Sequence, residues 1–172
     1  MGGVISHNVR MPANVFEPEF DASQDEPPFV WRRARIGRQA GADALGASLF
    51  ELPPGASSFP LHVHHANEEM IVVLAGRPTL RTLDGTRELS PGEVVACRAG
   101  REGAHRLDNA TGEPARFLVV STMNAPEVNE YPDSGKIWVR DYAPGGTAPD
   151  PSSALDKVVP DGPEVHYLDG ER

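Results

Sequence analysis

Short apolar runs separated by turn-forming residues dominate the centre of the chain. The runs are four to eight residues long and lie at 45–52, 71–74, 79–83, 93–97 and 116–121. Turn signals such as Pro53-Pro54-Gly55 and Pro91-Gly92 stand between them. Several short strands at this spacing, without helical segments between them, predict an all-β sandwich or barrel. Asp84-Gly85 between two such runs predicts a tight β-hairpin.

The two ends of the chain differ from this centre because they are more polar and rich in proline. We therefore expect an N-terminal arm at 1–43, a barrel core at 44–122, and a C-terminal arm at 123–172 that completes the barrel or a dimer. The run Lys136 to Arg140 predicts one additional strand. Asp150-Pro151-Ser152 predicts the capped start of a short helix that continues through Val158.

The net charge of the chain indicates which classes of binding partner are excluded. The chain has 25 acidic and 16 basic residues, for a net charge of -9, and it has no basic block. This balance argues against a nucleic-acid partner. No apolar run approaches the roughly 18 residues of a membrane span, and the first ten residues lack the apolar segment of a signal peptide. We expect a cytoplasmic protein, in which the single Cys97 is a buried small hydrophobic residue.

The segment His62-Val63-His64 carries the first chemical signal. On a β-strand, alternate residues point to one face, so both imidazoles can reach the same metal ion while Val63 faces the opposite side. The adjacent His65 is out of phase. A carboxylate after the next turn can reach the same ion, and spacing alone leaves both Glu68 and Glu69 as candidates.

His105 begins a later predicted strand and can complete the site as a fourth ligand. Three nitrogen ligands and one oxygen ligand suit Fe, Mn, Ni, Cu or Zn and argue against Mg or Ca. Four arginines near these segments include possible anion binders for the pocket, and strand phase does not select one of them: Arg77, Arg81, Arg98 and Arg106.

Two stretches of the sequence resemble the two motifs of the cupin superfamily. In the first, six residues separate Gly55 from His62, four separate His64 from Glu69, and six separate Glu69 from Gly76. The last spacing selects Glu69 over Glu68. In the second, five residues follow Gly92, four separate Gly100 from His105, and three separate His105 from Asn109. The pattern departs from the family by one extra residue before His62, by Arg98 at the proline position, and by two extra residues within 101–104.

The resemblance covers about residues 44–122 and implies a single cupin barrel, a double-stranded β-helix of the jelly-roll kind. It implies that His62, His64, Glu69 and His105 bind one divalent ion: Fe, Mn, Ni or Zn. Within the superfamily, the chain resembles bacterial single-domain cupins, some of them provisionally named sugar-phosphate isomerases. Because single cupin barrels commonly pair, we expect a homodimer.

Three functions are compatible with this resemblance. The first, which we prefer, is an Fe-dependent dioxygenase that acts on a small polar or acidic metabolite, since no free general base stands out in the sequence. The second is a metal-dependent sugar-phosphate isomerase or epimerase. The third is a non-catalytic cupin that binds a small sugar or acid.

Overall fold

The computed structural model describes residues 12–146, 150, 152 and 154–170. Within these residues the chain forms three antiparallel β-sheets and one short helix, α1, at Ile36–Ala40. No helix in this part of the chain is long and apolar enough to cross a membrane. The predicted all-β class is therefore confirmed.

The largest sheet has six strands, in the order β1-β2-β3-β10-β5-β8. Its strands are β1 Ala22–Glu26, β2 Phe29–Ala34, β3 Leu45–Leu52, β5 Glu69–Ala75, β8 Val94–Cys97 and β10 Ala115–Thr122. The long strand β10 lies at the centre and pairs with β3 on one side and β5 on the other. This non-sequential order is typical of jelly-roll folds, in which neighbouring strands come from distant parts of the chain.

Two smaller sheets complete the fold. The four-stranded sheet has the order β13-β12-β11-β4, and the three-stranded sheet has the order β7-β6-β9. Their strands are β4 Val63–His64, β6 Thr79–Arg81, β7 Thr86–Glu88, β9 Arg106–Asp108, β11 Glu127–Tyr131, β12 Lys136–Arg140 and β13 Asp156–Pro160. The β6–β7 hairpin around Asp84-Gly85 and the strand at Lys136–Arg140 confirm two of the sequence predictions.

The main core lies between the sheets and is apolar. Its buried members are Phe50, Leu52, Ile71, Val73, Leu80, Leu89, Cys97, Leu107 and Phe117. Strand β5 shows why the sequence folds this way: Ile71 and Val73 are 1% exposed, whereas Met70 between Glu69 and Ile71 is 41% exposed. This alternation turns one face of the strand toward the core and places Glu69 on the same inward face.

Both arms contribute strands to the sheets, and the structure corrects the helix expected in the C-terminal arm. The N-terminal arm contains the hairpin of β1 and β2, and β2 pairs with β3 at the edge of the large sheet. Residues 151 and 153, at the predicted start of that helix, lie outside the described residues. The predicted continuation of the helix through Val158 is wrong, because residues 156–160 form strand β13. Val158 and Val159 pair there with Trp138 and Ile137 of β12. Strand pairing with β12 therefore overrides the local helix signal.

Candidate metal centre

A pair of backbone hydrogen bonds holds His62 and His105 side by side. The His62 amide donates to the His105 carbonyl at 3.3 Å, and the His105 amide donates to the His62 carbonyl at 3.0 Å. This antiparallel bridge joins two chain segments that are 43 positions apart. The two imidazole centroids lie 4.5 Å from each other as a result.

His64 reaches the same place from strand β4. It pairs with Asn129 of β11, and its ring centroid lies 5.0 Å from that of His62. Val63, between the two histidines, is fully buried against Leu61 and Ala104. The alternation expected for His62-Val63-His64 is therefore present, and both imidazoles line one cavity.

Glu69, at the start of β5, faces the three imidazoles. Its Oε2 lies 3.1 Å from His105 Nε2 and 3.6 Å from His64 Nε2. Glu68 is exposed, and its backbone amide and carbonyl form hydrogen bonds with the hydroxyl and the amide of Thr122. His65 also turns away from the cavity, and its Nε2 lies 3.5 Å from Glu130 Oε2.

The second ring nitrogen of each cavity histidine contacts an acceptor. Nδ1 of His62 lies 3.0 Å from the Pro60 carbonyl, and Nδ1 of His105 lies 2.9 Å from the Gly103 carbonyl. Nδ1 of His64 lies 3.2 Å from Glu127 Oε2. Because these oxygens only accept, each of them favours a proton on the Nδ1 atom that it contacts, although the Asn129 side-chain amide also lies 2.9 Å from His64 Nδ1. Nε2 of each ring can then bind a metal ion, for which His105 must first give up the proton that it shares with Glu69. Such partners fix the tautomer that a metal-binding histidine needs.

The electrostatics of the cluster depend on its burial. Burial, together with the charges of His105 and His64, lowers the pKa of His62 to about 3. Burial alone would raise the pKa of Glu69, but the His105 hydrogen bond and the neighbouring imidazoles lower it to about 2. Burial would lower the pKa of His105, but Cys97 and Glu69 raise it to about 10. Without an ion, the proton on His105 therefore neutralises Glu69.

The donor chemistry fits a divalent transition-metal ion. His62, Glu69 and His105 each offer a ligand atom, and these three atoms lie within 4.8 Å of one another. His64 lies beside this trio, with Nε2 directed at Glu69. Imidazole nitrogens and one carboxylate oxygen suit Fe, Mn, Ni or Zn. His64 as the fourth ligand remains a prediction.

Glu127 contacts the candidate metal centre through His64, on the side of the ring away from Glu69. It is 0% exposed and accepts hydrogen bonds from the amides of His65 and Ala66, both at 3.1 Å, and from the Asn67 side chain. Burial would raise the pKa of Glu127, but the hydrogen bonds from His64 and Asn67 lower it to about 2. One carboxylate therefore shapes the loop after β4 and orients the His64 ring.

The turn before His105 depends on a glycine. A short 3-10 turn at Arg101–Gly103 covers most of the two-residue extension that distinguishes this sequence from the family pattern. A Cβ atom at Gly103 would lie 1.8 Å from the Arg98 carbonyl oxygen, so no side chain fits there. The Gly103 carbonyl is also the partner of His105 Nδ1. The extension at 101–104 therefore orients the His105 ring toward the other candidate ligands.

The four residues open onto a cavity of about 390 Å³. Core residues Phe50, Ile71 and Phe117 contribute apolar side chains to its wall, and a more polar wall comes from both arms. The polar or aromatic contributors from the arms are Arg33, Arg35, Asn129, Tyr131, Trp138, Arg140 and Tyr142. A volume of this size accommodates a small metabolite.

The arginines proposed from the sequence do not line this cavity. Arg77, Arg81 and Arg106 pair with Glu88, Asp133 and Asp108 on the outer surface. Arg98 is also directed outward, toward Glu102. The sequence prediction of a pocket anion binder among these four arginines is therefore wrong, because strand phase carries them out of the cavity.

Residues 48–121 match a family model described as the cupin domain. The chain therefore contains a cupin domain. The two motifs seen in the sequence lie in or beside this segment, and the jelly-roll arrangement of the sheets agrees with the cupin fold. Comparison with curated protein sequences finds no significant match.

Several solved structures share the fold. A protein from Silicibacter pomeroyi, named as a sugar phosphate isomerase from a cupin superfamily, has a TM-score of 0.72 and 25% identity, over 90% of this chain and 96% of that chain. An Acidithiobacillus ferrooxidans protein, provisionally named as a sugar phosphate isomerase, has a TM-score of 0.69 and 23% identity, over 84% of this chain and 88% of that chain. A predicted oxalate decarboxylase from Thermotoga maritima has a TM-score of 0.53 and 19% identity, over 65% of this chain and 98% of that chain.

Sequence reasoning missed the polar residues that the arms bring to the cupin domain. Glu127, Arg33 and Arg140 lie outside the motifs, and no local pattern marks them as inward-facing. Trp138 and Tyr142 also belong to the C-terminal arm, and both line the cavity. Trp31, in the N-terminal arm, packs instead against Phe50 and Phe59.

Proposed function

We propose that this cupin is a mononuclear metal enzyme of the dioxygenase type that acts on a small acidic or polar metabolite. His62, His64, Glu69 and His105 would hold the ion. Four protein ligands on a six-coordinate ion leave two positions for other molecules. A bound Fe²⁺ ion would supply the redox chemistry with O₂ that the side chains themselves lack.

The composition of the cavity wall carries this proposal. Among the described residues, every carboxylate and imidazole that lines the cavity belongs to the proposed ligand set. An isomerase needs a separate base to move a proton between carbon atoms. The cavity tyrosines are poor bases at neutral pH: burial raises the pKa of Tyr131, and the Asp156 hydrogen bond raises that of Tyr142. An oxidation that needs no such base therefore fits the cavity better.

The apolar side chains have a defined part in this chemistry. Phe50, Ile71 and Phe117 pack beside the ligand set and limit the water that reaches it. Exclusion of water strengthens the attraction between the centre and an anionic substrate, because it lowers the local dielectric constant. The polar residues of the arms then face the rest of the substrate.

Metal content and oxygen uptake test the proposal. The full chain is purified without added metal for elemental analysis, then loaded anaerobically with Fe²⁺ and supplied with catechols, 2-keto acids and thiols. We expect substrate-dependent O₂ consumption by the Fe²⁺ form and none by a Zn²⁺ form or by a His62→Ala, His105→Ala variant. No consumption above that of the double variant with any substrate would refute the dioxygenase.

A metal-dependent sugar-phosphate isomerase is the second candidate, because the Silicibacter pomeroyi structure similar over 90% of this chain carries that name. This activity needs no O₂. Anaerobic conversion of aldose phosphates to ketose phosphates by the Mn²⁺ or Zn²⁺ form, lost in the double histidine variant, would favour it over the dioxygenase.

A further inference from the structure

Arg33 lines the cavity and forms no ion pair within the described residues, although the charge of Asp21 acts on it from beyond ion-pair distance. Its neighbours on the same segment are neutralised, since Arg32 pairs with Glu51 and Arg35 pairs with Asp21 at 3.2 Å. Arg33 Nε is buried and has no hydrogen-bond partner among the described residues. Burial and the nearby Arg35 lower the pKa of Arg33 from its ordinary value of 12.5. An arginine nonetheless stays charged at neutral pH.

Arg140 enters the same cavity from strand β12. It is 5% exposed, and its Nη2 donates to Asn129 Oδ1 at 2.7 Å. Its guanidinium carbon lies 4.1 Å from the centroid of the Trp138 ring. Arg140 Nε is buried without a hydrogen-bond partner, and no carboxylate of the described residues lies within ion-pair distance of it, although Glu127 and Asp156 stabilise its charge from farther away. Asn129 also contacts His64 Nδ1 at 2.9 Å, so Arg140 lies one side chain away from the candidate metal centre.

Two such arginines lower the free energy of unfolding unless a ligand binds them. A buried charge without a directly bonded counter-charge destabilises a fold, and an unused N–H adds a desolvation penalty. Acidic partners are not scarce in this chain, whose net charge is -9. The other cationic side chain of the cavity, Arg35, does have its carboxylate partner. The free N–H groups therefore indicate a binding function.

We propose that Arg33 and Arg140 bind the anionic group of a small oxyanion ligand, a carboxylate or a phosphate. The guanidinium fork suits both groups, because each can accept parallel N–H···O bonds. That this oxyanion belongs to the substrate rests on the proposed function, whereas anion binding itself does not. The substrate would then have an anionic group at the arginines and oxygen atoms for the metal.

Calorimetric titration of the full chain tests this inference. Malonate and inorganic phosphate serve as probes, and the uncharged malonamide is the control for shape. Each probe is titrated into the protein as purified and after removal of metal by a chelator. The variants are Arg33→Gln and Arg140→Gln. Arg32→Gln is the matched control, because Arg32 lies on the same strand and pairs with Glu51.

We expect malonate or phosphate, and not malonamide, to bind the wild-type chain and the Arg32→Gln variant alike. Arg33→Gln should weaken that binding tenfold or more, because charge-assisted hydrogen bonds are lost. Arg140→Gln should do the same where thermal unfolding shows that it folds. Arg33 is less buried, so its variant tests the inference even if Arg140→Gln does not fold.

The two anions separate the two chemistries, because preference for malonate indicates a carboxylic acid and preference for phosphate indicates a phosphate ester. Binding that is equal in Arg33→Gln and the wild type, or no binding of either anion in either metal state, would overturn the inference. Arginine-dependent binding without O₂ uptake would uphold it while contradicting the dioxygenase. O₂ uptake that is the same in Arg33→Gln and the wild type would support the dioxygenase and contradict the assignment of the oxyanion to its substrate.

Discussion

Replacing Glu127 by Gln should destabilise the metal-free protein strongly at neutral pH and less in acid. The Glu127 carboxylate is 0% exposed, and its pKa falls from an ordinary 4.5 to about 2 because His64 and Asn67 donate to it. A carboxylate whose pKa falls this far on folding contributes about 3 kcal/mol to the folding free energy at neutral pH. A folded-state pKa below the unfolded one adds stability above pH 4.5 and loses it as the pH falls toward 2. Gln cannot ionise, so its variant lacks this contribution.

Urea unfolding of both proteins at pH 7, 4.5 and 3 measures the effect. We expect the difference in unfolding free energy to be about 3 kcal/mol at pH 7 and to shrink to roughly half of that at pH 3, because Glu127 is then mostly protonated in the unfolded chain. The acid sensitivity of His62, whose pKa is lowered to about 3, is common to both proteins and cancels in the difference. Glu68→Gln, at an exposed site of the same loop, should change the unfolding free energy by less than about 0.5 kcal/mol.

A difference between Glu127→Gln and wild type that is the same at pH 3 and pH 7 would refute the reasoning, because it would mean that the charge of Glu127 does not stabilise the fold. The same variant should also bind Zn²⁺ about 10- to 100-fold more weakly, since Gln holds the Nδ1 proton of His64 less firmly. Competition with a chromophoric chelator measures that affinity.

Three further changes test other parts of the structure. His64→Ala should reduce Zn²⁺ affinity by tenfold or more, whereas His65→Ala should leave it unchanged. If the His64→Ala variant and the wild type have equal Zn²⁺ affinities in a chelator competition, His64 is excluded as a ligand. Ile71→Ala should lower the unfolding free energy by about 2–5 kcal/mol because Ile71 is 1% exposed, while Met70→Ala, at an exposed site, should cost less than about 1 kcal/mol. Val158 is 57% exposed on the edge strand β13, which is a candidate surface for the expected homodimer. If the dimer forms there, Val158→Asp should convert it to a monomer, as measured by light scattering. An unchanged molecular mass would exclude β13 as the dimer interface.

The strands of the centre could be predicted because their signals are local. Turn residues mark where each strand ends, and alternation marks which face is buried, as in the run Glu69 to Val73. The same period of two places His62 and His64 on one side of the chain before any tertiary contact is known. The segment through Val158 was predicted wrongly. Asp150-Pro151-Ser152 is a local helix signal, whereas the pairing of residues 156–160 with β12 is a tertiary contact that no local pattern shows.

The polar half of the cavity could not be predicted from the sequence, because its residues act across long separations. Glu127 contacts His64 from 63 positions away, and Arg140 reaches the centre only through Asn129. Arg32 and Arg33 are adjacent and chemically identical, yet one pairs with Glu51 outside and the other lines the cavity. A one-residue change of strand phase exchanges the two positions, and composition gives no information about phase.

This division between core and arms has a consequence for specificity. Every proposed metal ligand lies between His62 and His105, whereas the two arginines that form no ion pair within the described residues come from β2 and β12 in the two arms. Under the proposed function, the arms would select the substrate and the metal centre in the core would transform it. Changes in the arms can therefore alter the ligand while the metal centre stays intact, as expected when a fold hosts several functions. Metal affinity and anion affinity should accordingly respond to separate sets of substitutions. Asn129 is the exception, because it contacts both Arg140 and His64 and so couples the two affinities.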